Sequence, residues 1–189
     1  MSILGVDISC RKCPTDIWRR NQLVVLGSGP IPARLMFIGE APGRTEDLQG
    51  KPFVGQAGKV LDNILRQVGL KRHEVYITNI VKCRPINEKG GNRRPTEDEV
   101  TTCSAYLETE IEQVNPLVIC SLGGTALSYF LPHTKISTVH GKTLQWNDGH
   151  GKTRTLIPLY HPAVAIYNRS MLPTLIKDMT LIKNTIHCG

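Results

Sequence analysis

Two cysteines, Cys10 and Cys13, stand in a C-x-x-C near the start of the chain, and two more, Cys83 and Cys103, follow at long intervals. The close pair lets two thiolates reach a common metal or cluster, and the separate cysteines supply the sulfurs that would complete a four-thiolate set. A structural zinc site usually draws on two close pairs, whereas one close pair plus two isolated ligands suits a cubane cluster equally well. Spacing alone therefore leaves zinc, an iron-sulfur cluster and inert core thiols open. Cys120 falls inside an apolar segment and Cys188 at the extreme C-terminal end, so both are read as non-ligands. The opening MSILGVDISCRKC lacks the basic and then apolar pattern of a secretory leader; a disulfide framework is not expected, and a cytoplasmic location is.

A second set of residues is defined by position. Gly39-Glu40-Ala41-Pro42-Gly43, Asn79, Leu122-Gly123-Gly124 and His161-Pro162-Ala163 each follow a short β-type segment. The segments run Arg34 to Ile38, Val75 to Thr78, Pro116 to Ser121 and Thr155 to Tyr160. Helical patterns separate them. Val60, Leu61, Ile64, Leu65 and Val68 recur at helical spacing before Gly69 stops the run. Thr96 and Glu99 form a capping box ahead of Val100, Cys103, Leu107, Ile111 and Val114, which turns Cys103 inward. A third helix begins near Gly124, and a last one carries Leu172, Leu175, Ile176, Met179 and Ile182. Strands alternating with helices predict an α/β fold with a four-stranded, mainly parallel sheet covered on both faces. Such sheets bind ligands beyond the carboxyl ends of their strands, where these four motifs converge.

Composition narrows the partner. At 189 residues without an internal repeat or linker, the chain is expected to form one domain, residues 1–189, and a monomer. Charge interrupts every long apolar stretch, so no membrane span is expected. A net charge of +7 favours a polyanion such as nucleic acid. Aromatic residues make up only 5%, too few for a broad base-stacking platform, so base recognition should rest on one or two rings.

Taken together, Gly39-Glu40-Ala41-Pro42-Gly43 with Glu46-Asp47, then Gly50-Lys51-Pro52-Phe53-Val54-Gly55, then Tyr76 to Pro85 (YITNIVKCRP) and finally His161-Pro162-Ala163 resemble the iron-sulfur (family 4) uracil-DNA glycosylases. The resemblance extends from Cys10 through the last helix. It implies the three-layer α/β/α sandwich of that superfamily, excision of uracil from single- or double-stranded DNA to leave an abasic site, and a [4Fe-4S] cluster on Cys10, Cys13, Cys83 and Cys103. Two departures stand out. The stretch Asn87 to Arg94 looks longer than the family's usual loop, and Ala41 occupies a position where many other uracil glycosylases carry an aspartate, so water activation is not assigned there.

Roles follow for individual residues. A base must leave the stack before its bond to the sugar can be cut. Phe53 offers a flat face for a flipped pyrimidine, and the Asn79 amide can pair with N3–H and O4 of uracil, a pattern that cytosine reverses. His161 is the candidate donor to the uracil O2 as negative charge develops there. Glu46 is assigned to the pocket wall and attacking water, and Glu40 to an orienting role, with Gly39 and Ala41 lining the pocket. Phosphate contacts are expected from Lys82, Arg84, Arg93, Arg94, Lys142 and Arg169, and the apolar residues of Val164 to Ser170 are expected to probe the vacated stack. The remaining histidines, His73, His133, His140, His150 and His187, are expected to be solvated. Two other readings stay open: a non-catalytic DNA-binding or replication-associated module, and a glycosylase for another deaminated base such as hypoxanthine.

Overall fold

A computed structural model describes residues 10, 12–13, 24–148 and 151–187. His150, Cys188 and the side chain of His187 lie outside the described residues. The elements run β1 (Leu35–Gly39), α1 (Arg44–Gln49), α2 (Gln56–Gln67), β2 (Tyr76–Asn79), α3 (Glu97–Val114), β3 (Val118–Leu122), α4 (Gly124–Phe130), α5 (Ile136–Val139), β4 (Leu144–Asn147), β5 (Thr153–Leu159), α6 (Val164–Tyr167) and α7 (Leu172–His187).

Each expected β segment forms a strand, and a fifth joins them in the order β2-β1-β3-β5-β4. The four expected strands are mutually parallel; β4 runs antiparallel against β5 at the edge, pairing Leu144 with Leu156 and Trp146 with Arg154. The sheet therefore has five strands where four were expected. The burial of β4 alternates between half-buried and exposed, because it has one strand neighbour and borders solvent.

Alternation along β1 divides the core into two layers. Leu35 and Phe37 face Leu61, Ile64 and Leu65 of α2 and Leu175, Met179 and Ile182 of α7. Met36 and Ile38 face Leu107, Ile111 and Val114 of α3 and Ala126 and Phe130 of α4. These layers make the α/β/α sandwich. The capping box of α3 forms as the sequence implies: Glu99 N donates to Thr96 Oγ1 at 3.2 Å and Thr96 N to Glu99 Oε2 at 2.8 Å. Among the described residues no helix is long and apolar enough to cross a membrane.

Candidate active site at the carboxyl ends of the strands

The ends of β1, β2 and β5 open on a cleft of about 300 Å³ lined by Glu40, Ala41, Glu46, Phe53, Asn79 and His161, among others. The β3 end contributes from behind. Gly123 has φ +91°, and a Cβ there would stand 3.1 Å from His161 Cβ, so a bare backbone lets the histidine close onto the cleft. Gly39 serves Phe53 and Asn79 in the same way: its Cβ would lie 2.6 Å from the Phe53 ring and 2.5 Å from Asn79 Oδ1.

Phe53 adopts φ +52°, an uncommon conformation for a residue with a side chain, and is held there from two sides. Glu46 Oε1 accepts the Val54 and Gly55 amides at 3.0 and 2.7 Å. Gly58 packs so tightly beneath that any Cβ would collide with the Phe53 carbonyl. The ring is 5% exposed and its centroid lies 5.8 Å from that of His161, with the planes 31° apart. Glu46, expected to line the wall, reaches it from the first turn of α1, with one carboxylate oxygen taken up by the Val54 and Gly55 amides. Glu40 is half-buried in the same wall.

Asn79 is 2% exposed, and its Oδ1 is buried without a hydrogen-bond partner. A buried unpaired amide oxygen costs about 1–3 kcal/mol, so this one is poised for a donor that enters the cleft. His161 carries the opposite polarity. Its Nδ1 accepts the Ala163 amide at 3.1 Å, which places the ring proton on Nε2. Burial pushes its pKa down to about 4, against a smaller opposing pull from Glu46, so the ring is neutral at physiological pH.

The expected phosphate contacts divide. Arg94, Lys142 and Arg169 are exposed. Lys82 is not a surface cation: it is 1% exposed, and its Nζ donates to Glu110 Oε2 at 2.6 Å, Thr78 Oγ1 at 2.8 Å and the Asn79 carbonyl at 2.7 Å. Arg93 lines the cleft but grips Glu99 with both terminal nitrogens, at 2.8 and 2.6 Å, and donates Nε to the Ile86 carbonyl at 3.1 Å. Arg84 is half-buried and holds Asn92 Oδ1 at 2.7 Å and the Gly90 carbonyl at 3.1 Å. Both arginines thus fasten the long Asn87 to Arg94 stretch into a hairpin, bridged between Ile86 and Asn92. His140 also departs from expectation. It is half-buried, 2.7 Å from the Asp178 carboxylate and 4.5 Å from the Tyr160 ring, because α5 lays it against α7.

Some cleft residues carry no readable signal in the sequence. Arg44 and Asn92 reach it from α1 and the hairpin. Tyr167, 88% exposed, projects from α6 at its mouth, within the Val164 to Ser170 segment that was expected to probe the vacated stack. The cysteines are buried at Cys10, Cys83 and Cys103 and half-buried at Cys13. The Cys13 thiol is pushed up to about 11 by burial and by the neighbouring Cys103 and Cys10. The Lys82 amide donates to Cys103 Sγ at 3.3 Å.

The family model described as the uracil DNA glycosylase superfamily matches residues 26–183. The chain belongs to the uracil-DNA glycosylase superfamily. Its similarity is strong to proteins named type-4 uracil-DNA glycosylase. That of Saccharolobus solfataricus is 42% identical over 183 residues, 94% of this chain and 82% of the relative. Those of Archaeoglobus fulgidus and Thermotoga maritima are 45% and 44% identical over 85% of this chain and 79% and 80% of theirs. In this superfamily member the cleft and the matched region coincide: every cleft residue named above lies within the match.

Proposed function

We propose that this protein is a monofunctional uracil-DNA glycosylase of type 4, acting as one domain, as a monomer and in the cytoplasm, on uracil flipped from single- or double-stranded DNA. The observation that carries the reading is the unpartnered Asn79 Oδ1, buried in a cleft that also holds a flat ring and a neutral Nε2–H.

In this reading the uracil ring stacks on Phe53 and its N3–H satisfies Asn79 Oδ1, with the Asn79 NH₂ facing O4. Cytosine lacks the N3 proton and would leave that oxygen unpaired. As the bond from N1 to the sugar C1′ breaks, its electron pair leaves with the base and collects on the uracil oxygens; His161 Nε2–H donates to O2. Neutral imidazole suits this role, because it holds the anion by a hydrogen bond and keeps its proton. Water adds to C1′ and gives its proton to solvent, leaving an abasic site. Glu46, one oxygen fixed by the Val54 and Gly55 amides, offers its other oxygen to that water, and Glu40 orients it from the same wall. Arg94, Lys142 and Arg169 contact phosphates, and Tyr167 enters the gap left by the flipped base.

Cys10, Cys13, Cys83 and Cys103 would hold a [4Fe-4S] cluster. The donor set fits: burial, and after it the neighbouring sulfurs, disfavours the bare thiolates of Cys13 and Cys103, a cost that a bound cation would offset. Among the described residues no three His, Cys, Asp or Glu side chains converge on a single ion. A cluster held there would serve structure, joining Cys10 and Cys13 to Cys103 on α3 and to Cys83 after β2.

The test is cleavage of uracil-containing oligonucleotides, single-stranded and as U:G duplexes, followed by alkaline scission. Product from both is expected; its absence from both would leave the scaffold reading in place.

A further inference from the structure

Lys82 sits among residues of the proposed uracil site without reaching substrate. Thr78 and Asn79 close β2, and the chain then bends through Ile80 to Cys83. Three amides of that bend are tied down: Ile80 N to the Gly39 carbonyl at 2.9 Å, Val81 N to the Glu40 carbonyl at 3.2 Å and Lys82 N to Cys103 Sγ at 3.3 Å. The Lys82 side chain then folds back over the strand end. Its ammonium holds the Asn79 carbonyl and Thr78 Oγ1 against Glu110, whose other oxygen accepts the Gly27 amide at 2.9 Å. Both charges are fully buried, at 1% and 0% side-chain exposure.

Such a pair is a poor way to stabilise a fold. Desolvation of the two charges offsets much of their attraction, and apolar side chains of equal volume commonly serve stability as well or better. What the pair does supply is direction. An ammonium with three fixed acceptors locks the peptide plane after Asn79, and that plane sets where the Asn79 amide points. The unpartnered Oδ1 is held in place by backbone rather than by a partner of its own, so the backbone anchor must be stiff.

We propose that Lys82 is a positioning residue for base recognition: through the Asn79 carbonyl it aims the side-chain amide that reads uracil, with Glu110 and Thr78 as its supports. The inference rests on the proposed glycosylase function and makes Lys82 part of specificity without contact to DNA or base.

The experiment uses the cluster-loaded full chain and the double variant Lys82→Met/Glu110→Gln, which removes the ammonium without stranding a buried carboxylate, keeps an oxygen for the Gly27 amide and turns an NH₂ donor toward the Thr78 hydroxyl, which can accept it. Two affinities are compared: free uracil, read as inhibition of excision, and a duplex with an abasic-site analogue, which tests the DNA surface alone. Loss of one well-aimed hydrogen bond predicts that the uracil inhibition constant rises about tenfold and the single-turnover rate falls at least about tenfold. Abasic-DNA affinity, iron content and melting temperature should stay near the parent's. Parent-like uracil inhibition and rate in the folded variant would overturn the proposal, as would equal losses of uracil and abasic-DNA affinity. If the double variant does not fold, Thr78→Val, which removes one acceptor and keeps the shape, is expected to weaken uracil inhibition about threefold with abasic-DNA affinity unchanged; no change there also overturns it. Failure of the underlying reading is separate, because it appears as a parent protein that excises no uracil.

Discussion

Protonation of His161 couples the stability of the fold to pH. In the folded protein its pKa lies near 4, against 6.5 for a free imidazole, because burial disfavours the charged ring. Between these values the unfolded chain binds a proton that the folded one refuses. The contribution of His161 to stability is therefore full above pH 6.5 and declines as pH falls toward 4. Linkage over pH 7.5 to 5.5 gives a loss of about 1.3 kcal/mol from this one group. His161→Ala also leaves a cavity, but that cost does not depend on pH and cancels in the difference. Urea unfolding at the two pH values should show the stability gap between parent and variant shifting by that amount in the variant's favour at pH 5.5. In single-turnover excision the parent should show no inflection near pH 6.5, since the ring is already neutral, and His161→Ala should lose on the order of a hundredfold as the donor to the leaving base disappears. A stability gap that does not move with pH, or a rate that titrates at 6.5, would refute the burial argument and with it the assigned tautomer.

Asn79→Asp should lose roughly a hundredfold on uracil, from about 3 kcal/mol of lost pairing, with residual activity shifted toward cytosine; a parent-like rate in folded protein assigns Asn79 to the turn. Elemental analysis should find about four iron and four sulfide per chain, and Cys103→Ser should lose colour and solubility together; zinc in place of iron would remove the cluster. Affinity for uncleaved DNA should fall steeply with salt, and Arg94→Ala, Lys142→Ala and Arg169→Ala should each reduce the logarithmic slope by about 0.9 per lost contact on B-DNA, whereas Arg93→Ala should not, because its guanidinium already serves Glu99.

The sheet was readable because its inner strands are apolar runs bounded by turns, and the periodicity of α2, α3 and α7 faces them directly. Strand β4 was not, since four residues with half of their side chains in water carry too little pattern to distinguish from a loop. Post-strand position found Asn79 and His161, because a parallel sheet puts every strand's carboxyl end on one side. It misled at Lys82. Nothing local distinguishes a lysine that reaches solvent from one that meets a glutamate 28 residues away, and only α3 packing over β2 decides between them. Arg93 failed for the same reason, its partner Glu99 being visible in the sequence only as a helix cap. Glu46 was placed in the cleft by its motif, yet its grip on the Val54 and Gly55 amides depends on a loop conformation that no spacing encodes.

The hairpin that looked overlong is secured at its root. Arg84 reaches Asn92 across it, Arg93 reaches Ile86, and Glu99 anchors Arg93 to the start of α3, so the cleft wall made by Pro85, Asn92 and Arg93 is fixed below the tip. Beyond those clasps, Glu88 and Lys89 are exposed. The chain can thus change length at the tip without altering the shape of the wall, in the way a handle can be lengthened without moving the hinge that carries it. The same two residues make a natural point of attachment: a fluorophore or affinity tag placed there would ride beside the DNA-facing surface, reporting on approach of the strand while leaving the base pocket as it is.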